Sequence, residues 1–438
     1  MHTLLFLVIS FFLSTPLYAA DSSLTFQELN KFTSSIGATD DYFGISVAIS
    51  RDTVVVGSYG EYATIFERNP TTGLFEKKAI LTASDAAAYK YFGGDVSISG
   101  GTVVVGAYHD DCAPNSPCGA AYLFEKPVSG WANMTETAKL TASDIAYMDC
   151  FGWEVAISGN AVVVGSVHDT CADGRLNCGS AYLFEKPVSG WVNMTETAKL
   201  TAFDDDSYMF FGYSVAISGD TVVVGTPYDN SDTYSGSAYL FQKPISGWVN
   251  ATQTSKLVLS DAKPNTLFGC SVAVSGNTAV VGAIMAENNA GIHTGSAYIF
   301  EKQITGWGAH VSETAKLTAS DGAAEDFFGS VAINDNLVIV GAYEEEEGGE
   351  DSGSAYIFTK PTTGWFSTSE NAKLIASDSA PGEQFGYSIA ISGYTLVIGA
   401  RNGTDTGRYS GSAYVFKGNP LQKTFPWPMF MPAVTGKN

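Results

Sequence analysis

The same pattern of hydrophobic and polar residues occurs seven times along this chain. Each copy opens with a Phe-Gly pair, and successive pairs are 49, 59, 60, 57, 60 and 57 residues apart. A repeat of this length is typical of propellers and solenoids, because one unit cannot bury both of its faces and needs neighbours. The pairs begin at Phe43, Phe92, Phe151, Phe211, Phe268, Phe328 and Phe385.

The fourth copy shows what one repeat predicts. Residues 214–218 (SVAIS) alternate as in a half-buried strand, and residues 221–225 (TVVVG) form an apolar run typical of a strand covered on both faces. Gly219 and Asp220 between them suit a two-residue hairpin turn. Residues 237–241 (SAYLF) and 255–260 complete four strands. This meander with unequal loops predicts an all-β, seven-bladed propeller of four-stranded antiparallel blades rather than a β-helix or a long flat sheet.

The ends of the chain suggest how the ring closes. Residues 34–40 (SSIGATD) resemble the KLTASD that ends the other units, whereas the seventh unit (385–416) has three clear strands and no such ending. An N-terminal strand is therefore expected to complete the last blade, which would remove an open sheet edge. The predicted propeller covers residues 21–420, followed by a tail at 421–438.

The first twenty residues predict secretion. The apolar run at 4–13 suits the core of a signal peptide and is too short to span a bilayer. The tail contains three prolines and predicts neither a transmembrane helix nor a core element. We therefore expect a secreted protein without membrane insertion.

The charge balance excludes some partners. The formal net charge is −22, which argues against nucleic acid and anionic lipid, since both require a basic surface.

Cysteine spacing fits a secreted protein. Cys112 and Cys118, and Cys171 and Cys178 in the next repeat, are predicted to form disulfides, whereas Cys150 and Cys270 are expected to be free and buried. Zinc is less expected at these cysteines, because ligand spacing is missing.

Acidic residues concentrate in loops that a propeller brings to one face. The loops between second and third strands (2–3 loops) and those between successive blades (4–1 loops) share this face, and we predict it to be the ligand-binding face. The alternative is that these acids are solvated turn residues. The candidates are Asp110, Asp111, Asp169, Asp229, Asp232, Glu344, Glu345, Glu346 and Glu347 in 2–3 loops, and Asp204, Asp205 and Asp206 in a 4–1 loop.

Most of the glycosylation sequons lie in loops of the opposite face. Asn133, Asn193 and Asn250 lie in loops between third and fourth strands (3–4 loops), and only Asn402 lies in a 2–3 loop. If these sites are used, most sugars leave the acidic face clear.

Two histidines and a set of tryptophans are weaker candidates. His109 and His168 follow the second strands of adjacent blades and, with Asp110 and Asp169, could hold a metal; duplication of the repeat is the alternative. Five Gly-Trp pairs could stack on carbohydrate, but packing against the strand below explains them better.

The repeat itself, FGxSVAISGDTVVVGA followed by GSAYLF, resembles the FG-GAP repeat of integrin α-subunit propellers and secreted adhesion-type proteins, over residues 34–416. The resemblance implies a seven-bladed propeller that recognises ligands on the 2–3 and 4–1 loop face. The family's calcium loop between the first two strands is replaced here by turns such as Gly276-Asn277. Such a turn cannot supply six or more oxygen ligands, so no calcium or other cofactor is expected.

These observations favour an extracellular protein- or glycan-binding module over an enzyme, because no catalytic motif emerges. A polysaccharide-active hydrolase or lyase with carboxylates at the channel mouth is one alternative, and an extracellular coat protein is another. The fold cannot choose among them.

Overall fold

The described residues form seven blades, each a four-stranded antiparallel sheet, and two of these sheets gain a short fifth strand. A computed structural model describes residues 24–36, 39–114, 116–229, 234–287 and 292–419. The predicted signal peptide, the tail 421–438 and Asp232 lie outside them. The described residues contain no helix, and hence none that could cross a membrane.

The blades follow the predicted repeats, with their first strands innermost. Blade one contains β2 (Val47–Ser50), β3 (Thr53–Ser58), β4 (Tyr62–Arg68) and β5 (Phe75–Leu81). Blade two contains β6 (Val96–Ser99), β7 (Thr102–Ala107), β10 (Ala120–Glu125) and β11 (Ala138–Leu140), and carries a hairpin of β8 (Asp111–Ala113) and β9 (Ser116–Pro117). Blade three contains β12 (Phe151–Ser158), β13 (Ala161–Ser166), β14 (Ser180–Glu185) and β15 (Ala198–Thr201).

The later blades repeat this order. Blade four contains β16 (Ser214–Ser218), β17 (Thr221–Thr226), β18 (Ser237–Gln242) and β20 (Ser255–Val258). Blade five contains β21 (Phe268–Ser275), β22 (Thr278–Ala283), β23 (Ser296–Glu301) and β25 (Ala315–Leu317). Blade six contains β26 (Phe328–Asn334), β27 (Leu337–Ala342), β28 (Ser354–Thr359) and β29 (Ala372–Leu374). Two short strands, β19 (Ala251–Thr252) and β24 (His310–Ser312), join the outer edge of the preceding blade in parallel.

Blade seven confirms that the N-terminal segment closes the ring. It contains β30 (Phe385–Ser392), β31 (Thr395–Ala400), β32 (Ser412–Gly418) and, as its outer strand, β1 (Phe26–Thr33). The strand lies earlier than residues 34–40, the stretch matched to KLTASD from sequence. Lys31, which pairs with Asp378 at 2.6 Å as Lys139 pairs with Asp85 at 2.7 Å, sets the true register.

Side chains on the first-strand turns link every blade to its neighbour. In each blade, the side-chain oxygen of the residue that ends the first strand accepts a hydrogen bond from a backbone amide in the turn of the next blade, at 2.7–3.2 Å. The series closes where the Arg51 amide of blade one donates to Ser392 of blade seven. A ring of this kind leaves neither end of the blade series unpaired.

The tryptophans of the 3–4 loops pack in the interior, as the packing interpretation predicted. Trp131, Trp191, Trp248 and Trp365 are 5–8 % exposed, and Trp307 is half-buried. Carbohydrate stacking on these rings is therefore not supported.

Trp131→Ala should cost about 3–5 kcal/mol of unfolding free energy, because it opens a large cavity. Trp131→Phe should cost only about 1 kcal/mol, since within the described structure the buried indole N–H has no hydrogen-bond partner. Urea unfolding of both variants measures the difference; equal losses would show that the N–H matters.

Candidate functional site

The 2–3 loops and 4–1 loops meet on one face, as predicted. In six blades, a residue just after the second strand donates its backbone amide to the carbonyl of the residue two places before a Phe-Gly pair. The donor is the second or third residue after the glycine that recurs in each second strand. Examples are Tyr59 N to the Asp41 carbonyl at 2.8 Å and His109 N to the Lys90 carbonyl at 3.2 Å. These bonds hold the loops around the mouth of a central channel whose cavity measures about 520 Å³.

An inner ring of six aromatic side chains lines this mouth. Three follow second strands and three occupy the starts of first strands, so the two inner strands of the blades place all of them. Tyr108 lies 5.0 Å from Trp153 between ring centroids, and Trp153 lies 5.8 Å from Tyr213. The ring comprises Tyr59, Tyr108, Tyr343, Trp153, Tyr213 and Tyr387.

A second set of aromatic residues surrounds the inner ring. It comes from the position immediately before Phe-Gly, where the backbone has positive φ in all seven blades. Tyr91 at this position stacks on Tyr108 at 5.0 Å, and Phe327 lies 5.5 Å from Tyr343. Positive φ is costly for bulky residues and concentrates at binding sites. The second set comprises Tyr42, Tyr91, Phe210 and Phe327.

One position in the inner ring already carries a cation. The guanidinium of Arg401 lies 3.7 Å from the ring centre of Tyr387, and its Nε donates to Gln384 at 2.7 Å. A guanidinium over an aromatic face is attracted by the negative potential of that face.

Two carboxyl groups line the channel and were missed from the sequence. Asp95 and Glu154 replace a serine that the other five blades keep before the first-strand valine or isoleucine. Asp95 accepts bonds from Ser46 Oγ at 2.6 Å and the Val155 amide at 2.7 Å. Burial raises the pKa of Asp95 to about 6 and that of Glu154 as well, with the charge of Asp95 adding to the second shift. Alignment of the seven copies would have shown the replacement.

Several acids predicted to face the ligand are instead neutralised inside the protein. In blade three, buried Asp169 accepts from Tyr182 Oη at 3.0 Å and pairs with Lys199 at 2.6 Å, while Asp144 pairs with the same lysine. The equivalent acids are Asp110 with Lys139 and Lys90, Asp229 and Asp204 with Lys256, and Glu345 with Lys373. A buried carboxylate requires such a partner, so the buried acids Asp110, Asp169, Asp229 and Glu345 each tie a 2–3 loop to the outer strand of their own blade. Asp144 and Asp204 are exposed and pair with the lysine of the next blade.

The remaining predicted acids have varied surroundings. Asp205 and Asp206 pair with Arg175 at 3.0 and 3.3 Å, and Glu347 pairs with Lys373 at 2.7 Å. Glu344 is half-buried, which raises its pKa, and accepts from Gln384. Asp111 and Glu346 are exposed.

The structure does not assemble the metal set suggested for the histidines. His168 Nδ1 lies 3.5 Å from Cys150 Sγ, and the His109 ring packs on Tyr91 and Tyr108. Burial lowers the pKa of both histidines. Among the described residues, one group of three potential ligands lies close enough to share an ion: Asp321, Glu345 and Glu347, with Lys373 Nζ bonded to all three.

One of the two predicted disulfides forms. Cys171 and Cys178 are bonded, with Cα atoms 5.5 Å apart. The prediction for Cys112 and Cys118 is wrong, because both are free thiols. Cys112 is exposed with its Sγ against the Ser116 carbonyl, and Cys118 is buried with its Sγ against the Asp110 carbonyl. Cys150 and Cys270 are free, as predicted, and Cys150 is buried, but Cys270 is only half-buried because it lines the central channel.

Stability should rise as the pH falls from 8 to about 5.5. Burial raises the pKa of Asp95, Asp149 and Asp326 to about 6, from an ordinary value of 3.8. Between these values the folded protein binds more protons than the unfolded chain, so unfolding free energy falls as the pH rises through this window. The lowered pKa values of His109 and His168 act in the opposite direction, so we expect a net effect of about 1–3 kcal/mol.

Thermal unfolding at pH 5.5 and pH 8 tests this prediction. Asp149→Asn should reduce the dependence of the melting temperature on pH. Below about pH 4 the trend should reverse. Burial would raise the pKa of Asp144, but its bond to Lys199 lowers it overall, so protonation there costs stability. A melting temperature that is higher at pH 8 would contradict the prediction.

The comparisons with known proteins agree with the architecture. The FG-GAP repeat model matches residues 26–68, 75–124, 134–184, 194–241, 251–300, 311–358 and 368–416. Each match contains the outer strand of one blade and the first three strands of the next, and the first match begins on β1, the outer strand of blade seven. A search of curated proteins gave no significant match. With matches over most of its length, the chain belongs to the FG-GAP repeat family.

Proposed function

We propose that this protein is a secreted binding module that takes a basic side chain of an extracellular protein partner into its aromatic channel mouth. The observation that carries the proposal is the inner aromatic ring with Asp95 and Glu154 in the same channel. Aromatic faces and carboxylates both attract a guanidinium or ammonium group. The net charge of −22 adds long-range attraction for a basic partner.

Arg401 supports this choice of ligand chemistry. Its contact with Tyr387 shows that a guanidinium fits against a member of the ring. A large aromatic centre surrounded by polar loops is also where binding energy concentrates in protein interfaces.

The test is an array of extracellular peptides in which single Lys or Arg residues are replaced by Gln, probed with the mature protein. Trp153→Ala should weaken binding at least about tenfold, because it removes the ring's largest face. Tyr394→Ala is the matched control: Tyr394 is exposed on a first-strand turn at the opposite face and should leave binding unchanged. Binding that survives Trp153→Ala, or that ignores the Lys and Arg replacements, would refute the proposal.

A polysaccharide-active enzyme is the second candidate, and the Asp95–Glu154 pair is the observation that favours it. Two carboxyl groups with raised pKa in one channel are what an acid–base pair requires. Both oxygens of Asp95, however, already accept hydrogen bonds from Ser46 and Val155, which suits a binding wall better. Release of sugar fragments from a glycan array, lost in Glu154→Gln, would reverse this preference.

A further inference from the structure

Four consecutive blades expose an aliphatic side chain at the tip of the 3–4 loop. Val128, Val188 and Ile245 are each 110 % exposed relative to a reference residue, and Ile304 is 107 % exposed. In blades one and six the same position holds Thr71 and Thr362, also exposed. The loop therefore folds equally well with a polar residue at its tip.

The local fold gives no reason for these aliphatic side chains. The turn closes through a bond from the Gly130 amide to the Pro127 carbonyl at 2.9 Å, and blade six makes the same bond at 3.0 Å between Gly364 and Pro361. The side chain at the tip takes no part in it. Exposed apolar side chains that recur at the same position of the repeat mark a surface that another molecule or chemical group covers.

The aliphatic tips coincide with the glycosylation sequons. Asn133, Asn193 and Asn250 each follow an aliphatic tip by five residues. Blades one and six have a threonine tip and no sequon. Blade five has an aliphatic tip without a sequon: Ile304 is at the tip, and Ala309 occupies the position five residues later where the other three blades have asparagine.

The sequon asparagines are held in one orientation by the neighbouring blade. Each Oδ1 accepts a backbone amide at 2.8 Å, from Ile80, Lys139 and Lys199 respectively. All three asparagines are exposed. Among the described contacts, their Nδ2 atoms, which carry a glycan when modified, make no hydrogen bond.

The distance between tip and sequon is short. Five residues span at most roughly 17 Å even when extended, and buried Trp131 anchors the loop between Val128 and Asn133. Sugar rings present C–H faces that pack on aliphatic groups, so a chain of a few sugars suffices to cover the tip.

We propose that N-linked glycans on Asn133, Asn193 and Asn250 lie over Val128, Val188 and Ile245, and that Ile304 remains uncovered. The 3–4 loop face would then be a sugar-coated surface, distinct from the ligand-binding mouth. The proposal rests on the proposed secretion but not on what the mouth binds.

The experiment compares the protein secreted from glycosylating cells with a triple variant, Thr135→Ala, Thr195→Ala and Thr252→Ala. This variant abolishes the three sequons while keeping each asparagine and its hydrogen bond. Mass spectrometry of the parent should find glycans on all three asparagines. Retention on a hydrophobic-interaction column should increase in the variant, because three further tips become accessible.

Two matched controls identify the cause. Adding Val128→Thr, Val188→Thr and Ile245→Thr, the residue of blades one and six, should return retention to the parental value. Ile304→Thr should lower retention by the same amount in the glycosylated parent and in the triple variant. Absence of glycans at these sites, unchanged retention in the triple variant, or no reversal by the threonine tips would each overturn the proposal. Peptide binding at the mouth should be equal in parent and triple variant, so the two proposals can fail separately.

Discussion

Gly152→Ala is expected to lower the free energy of unfolding by at least about 4 kcal/mol, among the largest effects of any single methyl group. Gly152 has φ +90°, a conformation that L side chains rarely adopt, and an added Cβ would lie 2.2 Å from the Ala120 carbonyl oxygen of blade two. The Phe-Gly pair is therefore the point where the backbones of adjacent blades come closest. The loss should appear as a lower urea midpoint and a lower melting temperature.

Gly159→Ala is the matched control in the turn that follows the same strand. Gly159 has φ +59°, but an added Cβ would meet nothing within 4 Å. Only backbone strain remains, and the expected cost is about 1 kcal/mol. Equal losses in the two variants would show that the close approach of blades does not explain the Phe-Gly pair.

Lys199→Met is expected to cost about 3–5 kcal/mol, because it leaves the buried carboxylate of Asp169 without its cation. Asp144, which shares the lysine, would lose its partner as well. The difference in urea unfolding free energy between the variant and the parent measures this cost.

Blade five offers the matched control, Lys316→Met. Its lysine occupies the same place but pairs with half-exposed Asp261 at 2.9 Å, and Ala286 stands where blade three has Asp169. An exposed pair contributes less than about 1 kcal/mol. A loss for Lys316→Met as large as that for Lys199→Met would contradict the role assigned to the buried acid.

The lysine–acid–tyrosine groups also change how the acidic face is understood. Asp110, Asp169, Asp229 and Glu345 are buried beneath the loops and paired with lysines. Their charge is compensated locally and contributes little to attraction at the surface. The mouth of the channel, where Asp95 and Glu154 have no lysine partner among their described contacts, is therefore the better candidate for a basic ligand.

Much of the fold could be predicted from sequence because it depends on local patterns that recur. Residues 214–218 were predicted as a strand and form β16, and Gly219 has the positive φ that its turn requires. The missing outer strand of blade seven indicated closure by the N-terminus. The register of that strand could not be predicted, because pairing of Lys31 with Asp378 depends on a contact between residues 347 positions apart.

The sequence by itself determined the seven blades, the closure of the ring and the shared face of the 2–3 and 4–1 loops, since strand periodicity and turn residues act within a few positions. Only the tertiary structure decided which acids are available to a ligand. Burial and pairing depend on the folded blade: Asp169 is neutralised by a lysine thirty residues away on the outer strand of the same blade, whereas the six aromatic residues of the mouth, far apart in sequence, converge because seven inner strands surround one channel.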